Sequence, residues 1–161
     1  MATLVAVNPK VVEGSMQLVT RYVGENTEWK AGQILRINSS GALVAVSGGA
    51  STGGASYYAL TDRASAAGTQ GYVQVGEITS DLVFEMHVVS GTVSTANIGQ
   101  GYELDVTNGK VTVNTGDQTD KVVTILELGF NYDPAVNDSS DTLARVRVKF
   151  LQSVIDAAPA A

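Results

Sequence analysis

The stretch GYELDVTNGKVTVNT, residues 101–115, is two alternating runs separated by Asn-Gly, and its reading decides the fold. A two-residue type I′ turn needs positive φ at both central positions, which Asn and Gly tolerate, so Asn108 and Gly109 form the tip of a hairpin. Counting outward pairs Thr107 with Lys110, Val106 with Val111, Leu104 with Val113 and Tyr102 with Thr115. Side chains alternate across a strand, so Tyr102, Leu104, Val106, Val111 and Val113 share a core face, while Glu103, Asp105, Lys110, Thr112 and Asn114 share a wet one. Each cross-strand pair contributes about 0.2–1 kcal/mol, so a lone hairpin is marginal and must pack on more sheet.

The rest of the chain supplies that sheet. Beta-branched residues and glycines dominate, prolines number three, and short alternating runs recur with almost no stretch of helical period. Strands are predicted at residues 15–23, 33–37, 42–46, 57–60, 72–78, 82–88, 101–106, 110–114, 122–128 and 142–150, and LTDRASAAG is the one candidate for a short helix. A repeat lies within this pattern: setting Gly32-Gln33 on Gly99-Gln100 aligns AGQILRINSSGALVAV with IGQGYELDVTNGKVTV at an offset of 67 residues. Each copy continues into two further strands, YYALTD and GYVQVGEI in the first, VVTILELG and LARVRVKF in the second. The expected fold is therefore all-β, a compact antiparallel barrel or sandwich built from two related hairpin units at about residues 24–80 and 91–150, because one unit alone has too little core. The expected organisation is an N-terminal arm at residues 1–20, a single β domain at 21–152 and a flexible tail at 153–161.

Composition narrows the function. A chain of 161 residues buries roughly two-thirds of its unfolded surface and needs no staples, which suits the absence of cysteine. Without cysteine there are no disulfides, thiolate metal sites or Cys nucleophile. A formal net charge of −6 opposes nucleic-acid binding, which requires cationic surface to displace phosphate counterions. The start, MATLVAVNPK, has no basic leader, and its apolar run breaks at Asn8 and Pro9. The uncharged stretch at residues 37–61 is interrupted by SGGASTGGAS, a flexible surface loop rather than a membrane helix.

Candidate chemical groups are few. His87, the only histidine, alternates with Glu85 on the face opposite Phe84 and Met86 and reads as a solvent-facing strand residue; no nucleophile elbow accompanies it to make a relay. The loop NYDPAVNDSSD gathers Asp133, Asn137, Asp138 and Asp141, oxygen ligands that suit calcium, though the spacing is not an EF-hand and a solvated connector is the plainer reading. SGGASTGGAS lacks the G-K-[ST] ending of a phosphate cradle. RVRVK aligns Arg145, Arg147 and Lys149 on one strand face, to grip an acidic neighbour or to pair with carboxylates such as Glu103 or Glu127 on adjacent strands. Trp29 either anchors an interface or covers the end of a barrel core. With no catalytic constellation and no cofactor fingerprint, a structural or binding protein leads, and no cofactor or metal is expected.

The segments EWKAGQILRI, GALVAV, YYALTDRA, GYVQVGEI, IGQGYELDVTNGKVTV and DTLARVRVKF resemble bacteriophage capsid cement proteins, also called head decoration proteins, over residues 24–150. In that family a large residue precedes a Gly-bearing step into a strand, a Gly-bearing turn follows, and the last strand alternates valine with arginine. The resemblance implies a non-enzymatic β protein on the outer surface of an icosahedral virion, assembled in the host cytoplasm, with the major capsid protein as partner. It also implies a homo-oligomer, often a trimer, that uses neither nucleic acid nor membrane. Residues 1–22 lie outside both repeats, and their apolar alternation reads either as an arm that adds a strand to the shell or a neighbouring copy, or as an ordinary first strand. Contacts of the arm would be Leu4, Val5, Val7, Val11 and Val12, with Trp29 as a further anchor.

The rival is a glycan- or receptor-binding module of a phage tail or fibre, which would cluster exposed aromatics on one side. Trp29, Tyr57, Tyr58 and Tyr132 are its candidates in the sequence. An enzyme with His87 as general base is the third reading.

Overall fold

In a computed structural model of the chain, the residues described are 8–46, 55–64, 70–90, 93–107, 110–129 and 144–156. Eleven strands run through them: β1 Lys10–Glu13, β2 Gln17–Val23, β3 Ile34–Ile37, β4 Leu43–Ala45, β5 Ala55–Tyr58, β6 Gly71–Glu77, β7 Val83–Ser90, β8 Gly101–Thr107, β9 Lys110–Asn114, β10 Val123–Leu128 and β11 Ala144–Phe150. A 3-10 turn at Thr95–Asn97 and a four-residue helix, α1 at Gln152–Ile155, complete them. The fold is all-β, as alternation predicts.

Register around the deciding hairpin follows the expectation: Thr107 faces Lys110, Val106 faces Val111 and Leu104 faces Val113. Tyr102, however, pairs with Val123 of β10. The tip residues, 108 and 109, lie outside the described residues, as do 65–68 of the segment expected as a short helix; its residues 60–64 are not helical.

Pairing groups the strands into two rings. β2-β4-β3-β5-β6 closes as a barrel, with β2 parallel to β4 and antiparallel to β6. The second repeat follows the same plan: β7 is parallel to β9 and antiparallel to β11, while β8 joins β9 to β10 and β10 joins β11. The repeating unit is therefore five strands, one more than the sequence alignment finds, because β2 and β7 open the units and close the rings. Closure pairs the backbone groups that an open edge would leave exposed. The expected barrel or sandwich of two related units is thus built with one ring for each repeat.

The repeat is visible in single atoms. Gly32 and Gly99 both adopt left-handed φ, +88° and +84°. Gly32 N–H donates to Ala59 O at 2.8 Å and Gly99 N–H to Ile125 O at 2.7 Å. The return bonds, Ala59 N–H to Gln33 O and Ile125 N–H to Gln100 O, are 2.9 and 3.0 Å.

The rings are joined by apolar packing. Val23, Trp29, Leu35, Leu43, Ala59 and Val75 form a cluster inside the first ring. Ile34, Val46, Ala55 and Ile78 of the first half pack instead with Phe84, Met86, Val148 and Phe150 of the second, in one continuous core. Phe84 lies at its centre, 5.8 Å from the Tyr58 ring and 5.3 Å from Phe150. Burying each such side chain is worth roughly 1.5–3 kcal/mol, so the seam is a principal source of stability.

Both chain ends revise the expected boundaries. β1 pairs with β7 through Lys10, Val11 and Glu13, and β2 belongs to the first barrel, so residues 10–20, expected in the arm, belong to the β domain. Residues 153–155, expected in the tail, belong to α1, whose Val154 and Ile155 pack on the shared core while Ile155 O accepts from Ser56 Oγ at 3.1 Å.

Candidate interaction surface

The second ring carries its charge on the outward face of β7 and β11. Register sets Glu85 opposite Arg147 and His87 opposite Arg145. Arg147 lies 3.4 Å from Glu127 and 3.8 Å from both Glu85 and Glu13; Glu85 also lies 3.4 Å from Arg145 and 4.0 Å from Lys10. Three strands and β1 are thus tied together. Arg147 is 6% exposed, so removing one partner leaves charge in a poorly solvated place, which is costly. The pairing with Glu127 is the one foreseen; Glu103 stands elsewhere, against Asp117.

His87 corrects the sequence reading. It is 5% exposed rather than solvent-facing, although it stands on the sheet face that carries the ionic stripe. Glu103 and Thr112, expected on the wet face of the hairpin, are also buried. The connection from β9 to β10 bends back against β8, where Glu103 N–H donates to Asp117 O at 3.1 Å. Burial, and then the neighbouring Asp117 carboxylate, push the Glu103 carboxyl up, with Asp120 and Asp105 adding to the effect. Hydrogen bonds from Thr119, whose N–H lies 2.8 Å from Asp117 Oδ1, hold Asp117 below the usual carboxylate range.

The aromatic and apolar candidates are largely engaged in the fold. Trp29 is 5% exposed; its indole N–H donates to Thr61 O at 3.1 Å, and the Arg63 guanidinium lies 5.9 Å from its ring centre. It fills the first barrel's core and is not presented as an anchor. Tyr57 accepts from Arg21 Nε at 3.0 Å, and Tyr58 donates to Pro9 O at 2.7 Å. Val11 and Val12 lie on β1, half-buried, with Val11 packed on the shared core, so they serve the chain's own sheet. Leu4, Val5, Val7, Tyr132 and the proposed calcium ligands Asp133, Asn137, Asp138 and Asp141 lie outside the described residues, as do residues 47–54 of the glycine-rich loop. Among the described residues no group of three or more His, Cys, Asp or Glu is placed to hold a metal ion, and no helix is long and apolar enough to cross a membrane.

A surface that the sequence reading missed is the outward face of β2 and β6. Tyr72 is 75% exposed and Leu18 54%. Tyr22 faces Tyr72 across the strands, its ring edge-on at 5.9 Å, and its hydroxyl donates to Gln70 Oε1 at 3.0 Å. Thr20 pairs with Gln74 between them, and Leu18 with Gly76, over which the Met16 side chain lies where a Cβ would otherwise sit. The signal was present in the alternation of QLVTRY and GYVQVG. What was missing was the knowledge that Val19, Val73 and Val75 fill the barrel, leaving the tyrosines outside.

Compared with protein-family models, curated proteins and solved structures, the chain matches none.

Proposed function

We propose that this chain is a structural virion protein that decorates the outside of an icosahedral phage head and strengthens it by bridging neighbouring major capsid protein subunits. The observation that carries this reading is the division of labour between the two rings. One encloses Glu85 and Arg147 in a network of ion pairs that reaches out to the exposed Lys10, Glu13, Glu127 and Arg145, while the other turns a neutral aromatic face to solvent. The resemblance of residues 24–150 to head decoration proteins supports it independently. His87, on which the enzymatic alternative rested, is enclosed beside the ionic stripe. Of the aromatics on which the glycan-binding alternative rested, Trp29, Tyr57 and Tyr58 are hydrogen-bonded into the fold and Tyr132 lies outside the described residues; that alternative would use instead the outward-facing pair Tyr22 and Tyr72.

Physically, a bridging protein stabilises a shell because separating two subunits must also break the bridge. If each copy docks modestly, with about 800 Å² per partner, a trimer multiplies the effect, since the second and third contacts form at high effective concentration. The test is to mix purified protein with undecorated, expanded heads and examine them by electron microscopy, after measuring the protein's mass in solution. Ordered copies outside the shell and a raised temperature of head disruption are expected. Bare heads at saturating protein would overturn the reading.

A further inference from the structure

We propose that Met16 is a site of reversible oxidation by peroxide, placed so that its sulfoxide loosens the seam between the two rings.

Sulfur chemistry narrows the candidates. The chain has no cysteine and three methionines, of which Met86 is 1% exposed within the shared core. Met16 packs at the margin of that core and is only partly buried. Of these two, Met16 is the one open to a small oxidant while the chain stays folded.

Its seat sets the consequence. Met16 ends the connection that carries the chain from β1, on the sheet of the second ring, to β2 of the first. Gly14, with φ of +92°, turns that connection against the core; a Cβ there would lie 2.9 Å from Leu82 Cδ2. Two residues on, the thioether takes the space of a side chain at position 76: a Cβ on Gly76 would fall on the sulfur, 2.8 Å from Cγ and 3.3 Å from Cε. Gly76 pairs with Tyr58, whose ring lies 5.8 Å from that of Phe84, and Ile78, two residues further along the chain, belongs to the shared core. The sulfur thus lies flat on the backbone of Gly76, with no room for an added atom on that side.

In the step itself a sulfur lone pair attacks one oxygen of hydrogen peroxide and the O–O bond breaks. The sulfur is oxidised by two electrons, the S–O bond forms, and the second oxygen leaves as water. A sulfoxide is larger and more polar than a thioether, so it cannot keep both its contact with Gly76 and its place against the apolar core. The Gly14–Met16 connection lifts, and the edge of the seam at Tyr58 and Gly76 opens. Methionine sulfoxide reductases reverse the change. None of this depends on the decoration reading, because it is measured on the purified chain alone.

The test treats the full chain with dilute hydrogen peroxide and maps its peptides by mass spectrometry. Met16 should gain one oxygen well before Met86, the thermal transition should fall by roughly 5 °C, and amide exchange should quicken at Tyr58, Gly76 and Ile78. Treatment with methionine sulfoxide reductases should restore the transition and the exchange rates. Met16→Leu keeps the volume and removes the chemistry, so its transition should not respond to peroxide whatever happens at Met1. Should the leucine variant fold poorly, Met16→Gln, which is polar without peroxide, should by itself reproduce the lowered transition and the faster exchange. Oxidation of Met16 no faster than Met86, an unchanged transition after complete oxidation of Met16, or an equal response in Met16→Leu overturns the proposal.

Discussion

Thr112 is the clearest case in which a single atom opposes the fold. Its side chain is fully buried, and its hydroxyl has no hydrogen-bond partner among the described residues. An unsatisfied buried hydroxyl costs about 1–3 kcal/mol relative to a satisfied one, so Thr112→Val, which keeps the shape, should stabilise the protein by about 1 kcal/mol. Urea denaturation measures this directly; a lower midpoint would show that the hydroxyl has a use. Glu103 makes a pH-dependent counterpart. Its folded carboxyl titrates above the ordinary glutamate value, so its contribution to stability is full below that ordinary value and is lost as pH rises through the folded one. Glu103→Gln removes the buried charge, and should be more stable than wild type at pH 7 with the advantage shrinking at pH 4. An advantage independent of pH would sink this account. Asp117 has the opposite sign: its lowered carboxyl supports the fold at neutral pH and ceases to do so in acid. Alternation placed Glu103 and Thr112 on the outer face correctly, but a strand pattern does not say what lies above that face.

Among the elements, the paired turns before β3 and β8 separate backbone from surroundings. Gly32 and Gly99 share a left-handed conformation that costs an L-residue about 1–2 kcal/mol. A Cβ at Gly99 would meet no atom within 4 Å, whereas one at Gly32 would lie 2.7 Å from Asn8 Cβ. Gly99→Ala should therefore lose about 1–2 kcal/mol, and Gly32→Ala clearly more, by thermal or chemical unfolding. Equal losses would mean that Asn8 moves aside freely. The pairing of these glycines was legible from the aligned AGQ and IGQ, since a turn that needs positive φ selects glycine in both copies. β1 was not legible: KVVE is too short to signal a strand by alternation, and it becomes one because β7 has an edge left vacant beyond β9.

At the level of the whole molecule, the shared core couples the two rings. Ile34, Val46, Ala55 and Ile78 point away from their own barrel and pack with the second, so neither ring keeps its apolar surface covered without the other. The expectation is one cooperative thermal transition with calorimetric and van't Hoff enthalpies in agreement, despite the two rings. Phe84→Ala should cost about 3–5 kcal/mol and shift that single transition as a whole. Two resolved transitions, with only the later half of the chain affected, would show the rings to be independent.

The sequence by itself determined ten of the eleven strands, the hairpin register next to the turn and the existence of a repeat, because side-chain alternation and turn chemistry act between near neighbours. Only the tertiary structure decided that each repeat closes its own ring, that His87 and Arg147 are enclosed, that Trp29 is core, and that Tyr22 and Tyr72 face outward. Alternation divides a strand into two faces, but both faces of a sheet can be covered. Which one meets water is set by long-range packing between residues that the chain order does not bring together.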